Sequence, residues 1–280
     1  MSLKGDTVLE TRGLVKRFGG ITPTNGVSIK VEKGARRALI GPNGAGKTTL
    51  INLLTGVIPP TSGRVFLHGQ DITALAPHQR VGRGLVRTFQ INQLFPSLTP
   101  LQSLALAVAS RRGTAHRLWR SLAGDAEGAA ECDALLTQFR LADHATQPTR
   151  ELPYGKRRLL EIALAVAMKP SVLLLDEPAA GVPAAERQDI LDTVAALPGD
   201  VAVLLIEHDM DLVFSFARRI AVLVNGAVLT EGPPAQIAAD PQVKAVYLGH
   251  AENATEVAAG TATEGAAVTA TEGALKISHD

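Results

Sequence analysis

The stretch GPNGAGKTT, Gly41 to Thr49, constrains this chain more than any other. It fits the pattern G-x-x-x-x-G-K-[ST] with Gly41, Gly46, Lys47 and Thr48 at the defined positions. A triphosphate has to be neutralised by many donors at once, so a backbone that holds one must curl with its N–H groups turned inward. Glycines permit those dihedrals and the close approach. In such a loop Gly41, Pro42, Asn43, Gly44, Ala45, Gly46, Lys47, Thr48 and Thr49 line the phosphates. The Lys47 ammonium would meet the β- and γ-phosphates, and the Thr48 hydroxyl would ligate Mg²⁺. Residues Thr49 to Thr55 read as the first turns of a helix whose N-terminal dipole favours the anion. The flanks agree: ARRALI (35–40) is a short buried-strand pattern, and LINLLTG (50–56) is apolar at helical spacing. The stretch therefore predicts a nucleoside triphosphate site.

With 280 residues the chain can bury a full core. Its net charge of +1, from 28 Lys and Arg against 27 Asp and Glu, supplies no bulk field for nucleic acid or membrane, and no nucleic-acid partner is expected. The single cysteine, Cys132, has no internal disulfide partner and reads as a bland thiol in a polar helical stretch, in keeping with a reducing, cytoplasmic setting. MSLKGDTVLE has no apolar core of a signal peptide, and no apolar run approaches the roughly 18 residues that span a bilayer. The expectation is a protein that is soluble or held at a membrane by partners. The sequon at Asn253 is read as coincidence.

Read in order, residues 7–33 hold two β-type alternations joined at Gly19-Gly20. Phe18, just before that turn, is read either as a platform for a purine base or as an ordinary core aromatic. PPTSGRVFLHGQDIT gives turn, strand and turn, followed by a short helix after Pro77 and a strand LVRTFQ ending at Gln90. Gln90 is a solvated loop residue or a ligand for Mg²⁺ or the attacking water. From about residue 91 to 168 the pattern turns helical, as a subdomain inserted in an α/β core. In it, Arg111, Arg112, Arg117 and Arg120 around Trp119 form either a docking face or, more often for such runs, a solvated surface. Gly155 precedes a periodic helix from about Lys156 to Met168. Next, Val172 to Leu175 is a continuous apolar run ending in Asp176 and Glu177, as a central parallel strand would with its acids at the ligand-binding edge. A helix over 184–196 and a second apolar strand, Val201 to Ile206, lead to His208 at the same edge. IAVLVNGAVLTEG is a hairpin turning at Asn225-Gly226, and short helices close the fold. Residues 250–280, built of Ala, Thr, Glu and Gly, have the composition of a disordered tail.

Together these residues resemble an ATP-binding-cassette ATPase over about residues 7–249. The specific signal is LPYGK (Leu152, Pro153, Tyr154, Gly155, Lys156) ahead of LLLDEP, with EHD following. That is the family's order: aromatic Phe18, phosphate loop, Gln90, signature, acidic pair, switch histidine. LVRTFQ, LFPSLT, PYG, DEPAAG and VKAVYLG look most like the subgroup serving branched-chain amino acid importers. The resemblance implies a phosphate-loop ATPase fold: an N-terminal antiparallel β-subdomain, a RecA-like core and an inserted helical subdomain. It also implies ATP and Mg²⁺, with Thr48, Gln90 and Asp176 on the metal, Glu177 polarising the attacking water and His208 on the γ-phosphate. Two cassettes, of this chain or of this chain and a related one, would close head to tail so that each signature meets the other's nucleotide. They would drive two transmembrane permease subunits fed by a periplasmic solute-binding protein, from the inner face of the plasma membrane. Branched-chain amino acids are the implied solute, with urea, amides or other small carboxylated solutes as alternatives; a soluble cassette protein outside transport is a further one.

The sequence departs from the family at two places. The common LSGGQ signature has Pro153 for serine, Tyr154 for glycine and Lys156 for glutamine, and Pro153 brings neither hydroxyl nor N–H. The loop after the acids, commonly SALD, is Ala180-Gly181-Val182-Pro183 and lacks the aspartate. Both are read as subgroup variation, because Lys47, Gln90, Asp176, Glu177 and His208 are all present.

Overall fold

The computed structural model describes residues 6–88, 94–114 and 125–247. Alternating apolar positions in the N-terminal third build an antiparallel sheet. Its strands are β1 (Thr7–Phe18), β2 (Ile21–Val27), β3 (Lys30–Glu32), β5 (Ser62–Leu67) and β6 (Gln70–Asp71), in the order β2-β1-β5-β6 with β3 also on β1. The glycine pair 19–20 makes the turn between β1 and β2, with Phe18 opposite Ile21. The wholly apolar runs form the second sheet. It contains β4 (Arg36–Ile40), β7 (Leu85–Arg87), β8 (Val172–Asp176), β9 (Ala202–Ile206), β10 (Arg219–Val224) and β11 (Ala227–Gly232), ordered β11-β10-β4-β9-β8-β7. All its pairings are parallel except β10 with β11. Strands buried on both faces read as unbroken apolar segments, which is what VLLLD and AVLLI show.

One buried cluster joins the two sheets through α1 (Lys47–Thr55): Leu9, Leu14 and Leu67 from the first sheet, Leu50, Ile51, Leu53 and Leu54 from α1, and Leu39, Leu174 and Leu204 from the second. Each such side chain contributes about 1.5–3 kcal/mol of burial. The fold is therefore α/β with an N-terminal antiparallel sheet, as expected. Residues 210–216 form a short helix, α7 (Met210–Phe216), which the periodicity does not announce; Asp209 caps it by accepting from the N–H groups of Asp211 and Leu212. The hairpin at Asn225-Gly226 has φ of 49° and 79°, the left-handed pair of a tight turn. Beyond Pro234 a separate unit begins, whose described residues carry α8 (Pro234–Ala239) and helical residues 241–247. Among the described residues no helix is long and apolar enough to cross a membrane.

Three helices, α3 (Pro100–Arg111), α4 (Ala126–Gln138) and α5 (Tyr154–Ala167), pack against one another. Helix α3 opens on a capping box, Thr99 accepting from the Gln102 N–H and Gln102 returning the bond. Helix α5 begins at Tyr154 with Pro153 at its N-cap, so Gly155 lies inside the first turn instead of preceding the helix. Proline tolerates this place because a helix start leaves its N–H groups unpaired anyway. The arginine cluster is also corrected in part. Arg111 forks onto Glu131 at 2.7 and 2.6 Å and onto the Ala167 carbonyl, and Arg112 reaches Asp125 and Glu127, so both tie α3 to its neighbours. Arg117, Trp119 and Arg120 lie outside the described residues. Cys132 is buried in α4, and burial pushes its thiol pKa up, in accord with an inert thiol.

Arg80, at the end of α2 (Pro77–Val81), is 1 % exposed and, among the described residues, meets no carboxylate at salt-bridge distance. Its guanidinium donates to the carbonyls of Leu53, Leu54, Thr73 and Leu75 at 2.6–3.0 Å. Leu53 and Leu54 are among the last carbonyls of α1, which have no partner further along the helix; Leu53 also takes the Gly56 N–H at 3.3 Å, and a cation there suits the helix dipole. Gly56 ends α1 at φ 78°, and a Cβ in its place would press on the Arg80 guanidinium. Arg80→Ala is expected to lower folding stability by about 3 kcal/mol, since it strands buried carbonyls and opens a cavity. The urea midpoint at unchanged slope measures this; a loss below about 0.5 kcal/mol would contradict the assignment.

Candidate functional site

Three parallel strands bring the site together. In the order β4-β9-β8, Leu39 pairs with Ile206 and Ile206 with Asp176. From that one edge of the sheet emerge the loop after β4, Glu207-His208 after β9, and Asp176, which ends β8, with Glu177 after it. The carboxyl edge of parallel strands is where α/β proteins hold ligands.

The loop is packed from below by two hairpins. The Gly226 N–H donates to the Ala45 carbonyl (3.0 Å), and the Asn25 N–H donates to the Gly226 carbonyl (2.8 Å). Gly46 has φ 99°, and a Cβ there would collide with the Pro23 carbonyl oxygen of β2. Glycine is required for both reasons. Asn43, Gly44 and Thr48 are exposed, while Gly41 and Ala45 are buried beneath them. The Lys47 ammonium bonds the carbonyls of Gly41 (2.6 Å) and Pro42 (3.1 Å). Its pKa is pushed down by burial and pulled back by Glu177 and Asp176, so the lysine shares one electrostatic environment with both acids.

Asp176 ends β8 and accepts from Arg87, Nη2 to Oδ2, at 2.5 Å; the same guanidinium reaches Asn52 of α1 at 2.8 Å. Glu177 follows at φ 47°, a left-handed conformation rare for a residue with a side chain, with its N–H on the Ile206 carbonyl. The two adjacent carboxylates meet different groups, Asp176 the Arg87 guanidinium and Glu177 the His208 ring. His208 is exposed, with Nδ1 3.7 Å from Glu177 Oε1 and 3.8 Å from Glu207 Oε2. Glu207 is buried; its oxygens accept from the N–H groups of Ala179 (3.1 Å) and His208 (3.2 Å), while burial raises its pKa. It joins the loop after the acids to the backbone of His208. Among the described residues no three His, Cys, Asp or Glu side chains converge as a metal cluster. A carboxylate and a hydroxyl beside a phosphate loop nevertheless fit Mg²⁺, which keeps waters and takes phosphate oxygens in place of a full protein cage.

The structure thus brings Lys47, Asp176, Glu177 and His208 together. Thr48 opens α1 beside Lys47, and Thr49 is half-buried. Phe18 sits at the tip of the hairpin whose second strand supports Gly46; it is 46 % exposed with the Lys16 ammonium 4.9 Å from its ring centre, which excludes the core reading. The signature residues have partners outside the phosphate loop. Tyr154 Oη donates to the Ala180 carbonyl (3.1 Å), Gly155 lies so close to the Glu186 carboxylate that a Cβ would collide with it, and Lys156 donates to the Arg140 carbonyl (2.9 Å). Leu152 is buried and Pro153 exposed. Gln90 lies outside the described residues. Sequence reasoning passes over Arg87 and Glu207, although Arg87 lies within the predicted strand LVRTFQ and Glu207 is the carboxylate of EHD directly after an apolar strand.

The model of the ABC transporter family matches residues 24–180, and that of the branched-chain amino acid ATP-binding cassette transporters matches residues 227–253. The high-affinity branched-chain amino acid transport ATP-binding protein BraF of Pseudomonas aeruginosa is 42 % identical, over 87 % of this chain and 98 % of that protein. LivG of Escherichia coli, of the same description, is 37 % identical over the same shares. A crystal structure of an ATP-binding cassette of an ABC transporter, in its ADP conformation, superposes with a TM-score of 0.77 at 32 % identity, covering 87 % of this chain and 99 % of that one. The chain belongs to the ABC transporter family, as one of its ATP-binding cassettes.

Proposed function

We propose that this chain hydrolyses ATP to drive an importer of branched-chain or related amino acids. The observation that carries the ATPase reading is the register that puts the ends of β4, β9 and β8 side by side, so that the loop carrying Lys47 leaves the same sheet edge as Asp176 and Glu177. The similarity to BraF and LivG over 87 % of this chain supports the solute, with urea, amides and other small carboxylated solutes as the alternatives. We read residues 7–249 as the cassette, about 91–168 as its helical subdomain and 250–280 as a tail outside it.

Residues 41–49 take the phosphates, their N–H groups and the Lys47 ammonium replacing water as donors. Lys47 then exchanges the neutral carbonyls of Gly41 and Pro42 for anionic oxygens, and charge-assisted bonds are the stronger kind. Phe18 offers its exposed ring to the base. Thr48, Asp176 and Gln90 would hold Mg²⁺, which neutralises charge on the phosphate oxygens. Arg87 keeps Asp176 oriented from the neighbouring strand. Glu177 orients and polarises the water that attacks the γ-phosphate, and His208 touches that phosphate from beside it. The signature of a second cassette, this chain or a related one, supplies the facing N–H groups of residues 154–156; proline at 153 donates none. Closure of the pair moves two permease subunits through the Gln90 loop and the helical subdomain, at the inner face of the membrane and downstream of a periplasmic binding protein.

Glu177→Gln is expected to keep ATP binding, to lower turnover by about 10²–10⁴-fold, and to trap a dimer on gel filtration with ATP. Turnover at the wild-type rate would remove Glu177 from this role. Reconstitution with the permease subunits and binding protein tests the transport reading. ATP hydrolysis should rise with the membrane partners and rise again with leucine, isoleucine or valine. Stimulation by urea or an amide alone would move the solute, and a rate indifferent to every membrane partner would overturn the importer.

A further inference from the structure

Arg158 lies in α5, directly behind the signature, and its side chain is 6 % exposed. Nη1 meets Glu161 Oε2 at 2.6 Å, Nε donates to the Pro178 carbonyl at 3.0 Å and Nη2 to the Glu177 carbonyl at 2.7 Å. Glu161 is 4 % exposed, and its other oxygen, Oε1, is buried with no hydrogen-bond partner among the described residues. Burial pushes the Glu161 pKa up against the pull of Arg158. A buried pair of this kind is poor value as a stabilising device, since apolar residues of similar volume commonly serve as well. The guanidinium is better explained by what else it holds.

It holds the two peptide groups that follow the acidic pair. Glu177 is in the left-handed region, a conformation that persists only where its surroundings over-determine it. Its N–H is on Ile206, and its carbonyl takes Arg158 together with the Ala180 N–H, which closes a turn over Pro178. The next units are gripped too: Ala179 N–H by Glu207 and the Ala180 carbonyl by Tyr154. Among these side chains only Arg158 bonds the Glu177 carbonyl; with the Glu177 N–H held on Ile206, both backbone arms of the residue are anchored, and these fix the frame from which its carboxylate projects. Arginine's rigid fork can bridge two successive carbonyls while facing a carboxylate; lysine's single ammonium cannot reproduce that geometry.

We propose that Arg158 is a positioning residue for Glu177, pinning its peptide from the helix behind the signature, with Glu161 as its counter-ion. This rests on the reading of Glu177 as the residue that polarises water. The test uses the full chain, in the assembly in which the wild type hydrolyses Mg-ATP. R158M/E161L removes the buried pair without leaving a lone charge, so its melting temperature is expected to stay within about 3 °C of wild type. Its KM for ATP should change by no more than about twofold, while kcat falls about 10–100-fold, the scale set by a misplaced catalytic group. R158K, which retains the charge, should fold and still lose about 10-fold in kcat at unchanged KM. In an E177Q background the same substitutions should lower the residual rate by less than about twofold, because the group being positioned is gone. A stable variant with wild-type kcat, or an equal loss with and without Glu177, overturns the proposal. E177Q at the wild-type rate instead overturns the underlying reading of Glu177, which separates the two failures.

Discussion

The structure depends on the register of three parallel strands. Leu39, Ile206 and Asp176 stand side by side across β4, β9 and β8, and everything chemical follows within a few residues of that row. A slip of one residue in β8 would turn Asp176 to the opposite face and bury a carboxylate that now meets Arg87. Burial on both faces fills β8 and β9 with Val, Leu, Ile and Ala, Asp176 closing β8 as its one polar residue, whereas β4 opens on the buried pair Arg36 and Arg37 before its apolar residues 38–40. Core packing and site geometry are thus one constraint.

Buried charges then fix the backbone around that row. Helix α1 carries the phosphate loop at its start and is held at its end by Arg80, which bonds the Leu53 and Leu54 carbonyls. The loop after the acids is gripped by Arg158, Glu207 and Tyr154, and its far end by Arg187, which bonds the Val182 carbonyl and reaches Asp209. These side chains serve main-chain groups as much as each other, which is how buried polar residues stay satisfied. The departures from the common family pattern fit this arrangement. Tyr154, standing where glycine is usual, contributes a hydroxyl to Ala180, and Pro153 caps α5 with a proline-compatible φ of −53°.

What could be read beforehand was what is local in the chain. The phosphate loop declares itself because its glycines, lysine and hydroxyl are contiguous. The strands before Asp176 and His208 declare themselves as apolar runs. At the start of α5 Gly155 looks like a boundary, whereas Pro153 is the residue that makes one. Helix α7 was not legible because its apolar positions in MDLVFSF merge with no clear period. Arg80, Arg87, Glu207 and Arg158 were passed over for a different reason. Asp176 lies 89 residues from Arg87, Ala179 lies 28 from Glu207 and Pro178 lies 20 from Arg158, so only the folded chain reveals what each holds.

The central claim is that the edge formed by β4, β9 and β8 is a nucleotide site with Lys47 as its principal cation. Direct calorimetric titration of ATP into the wild-type chain and into Lys47→Ala addresses it with a single measurement. Saturable one-to-one binding to the wild type, weakened about 10–100-fold by the substitution at unchanged thermal stability, is the predicted result. Equal affinity in both chains would contradict the claim.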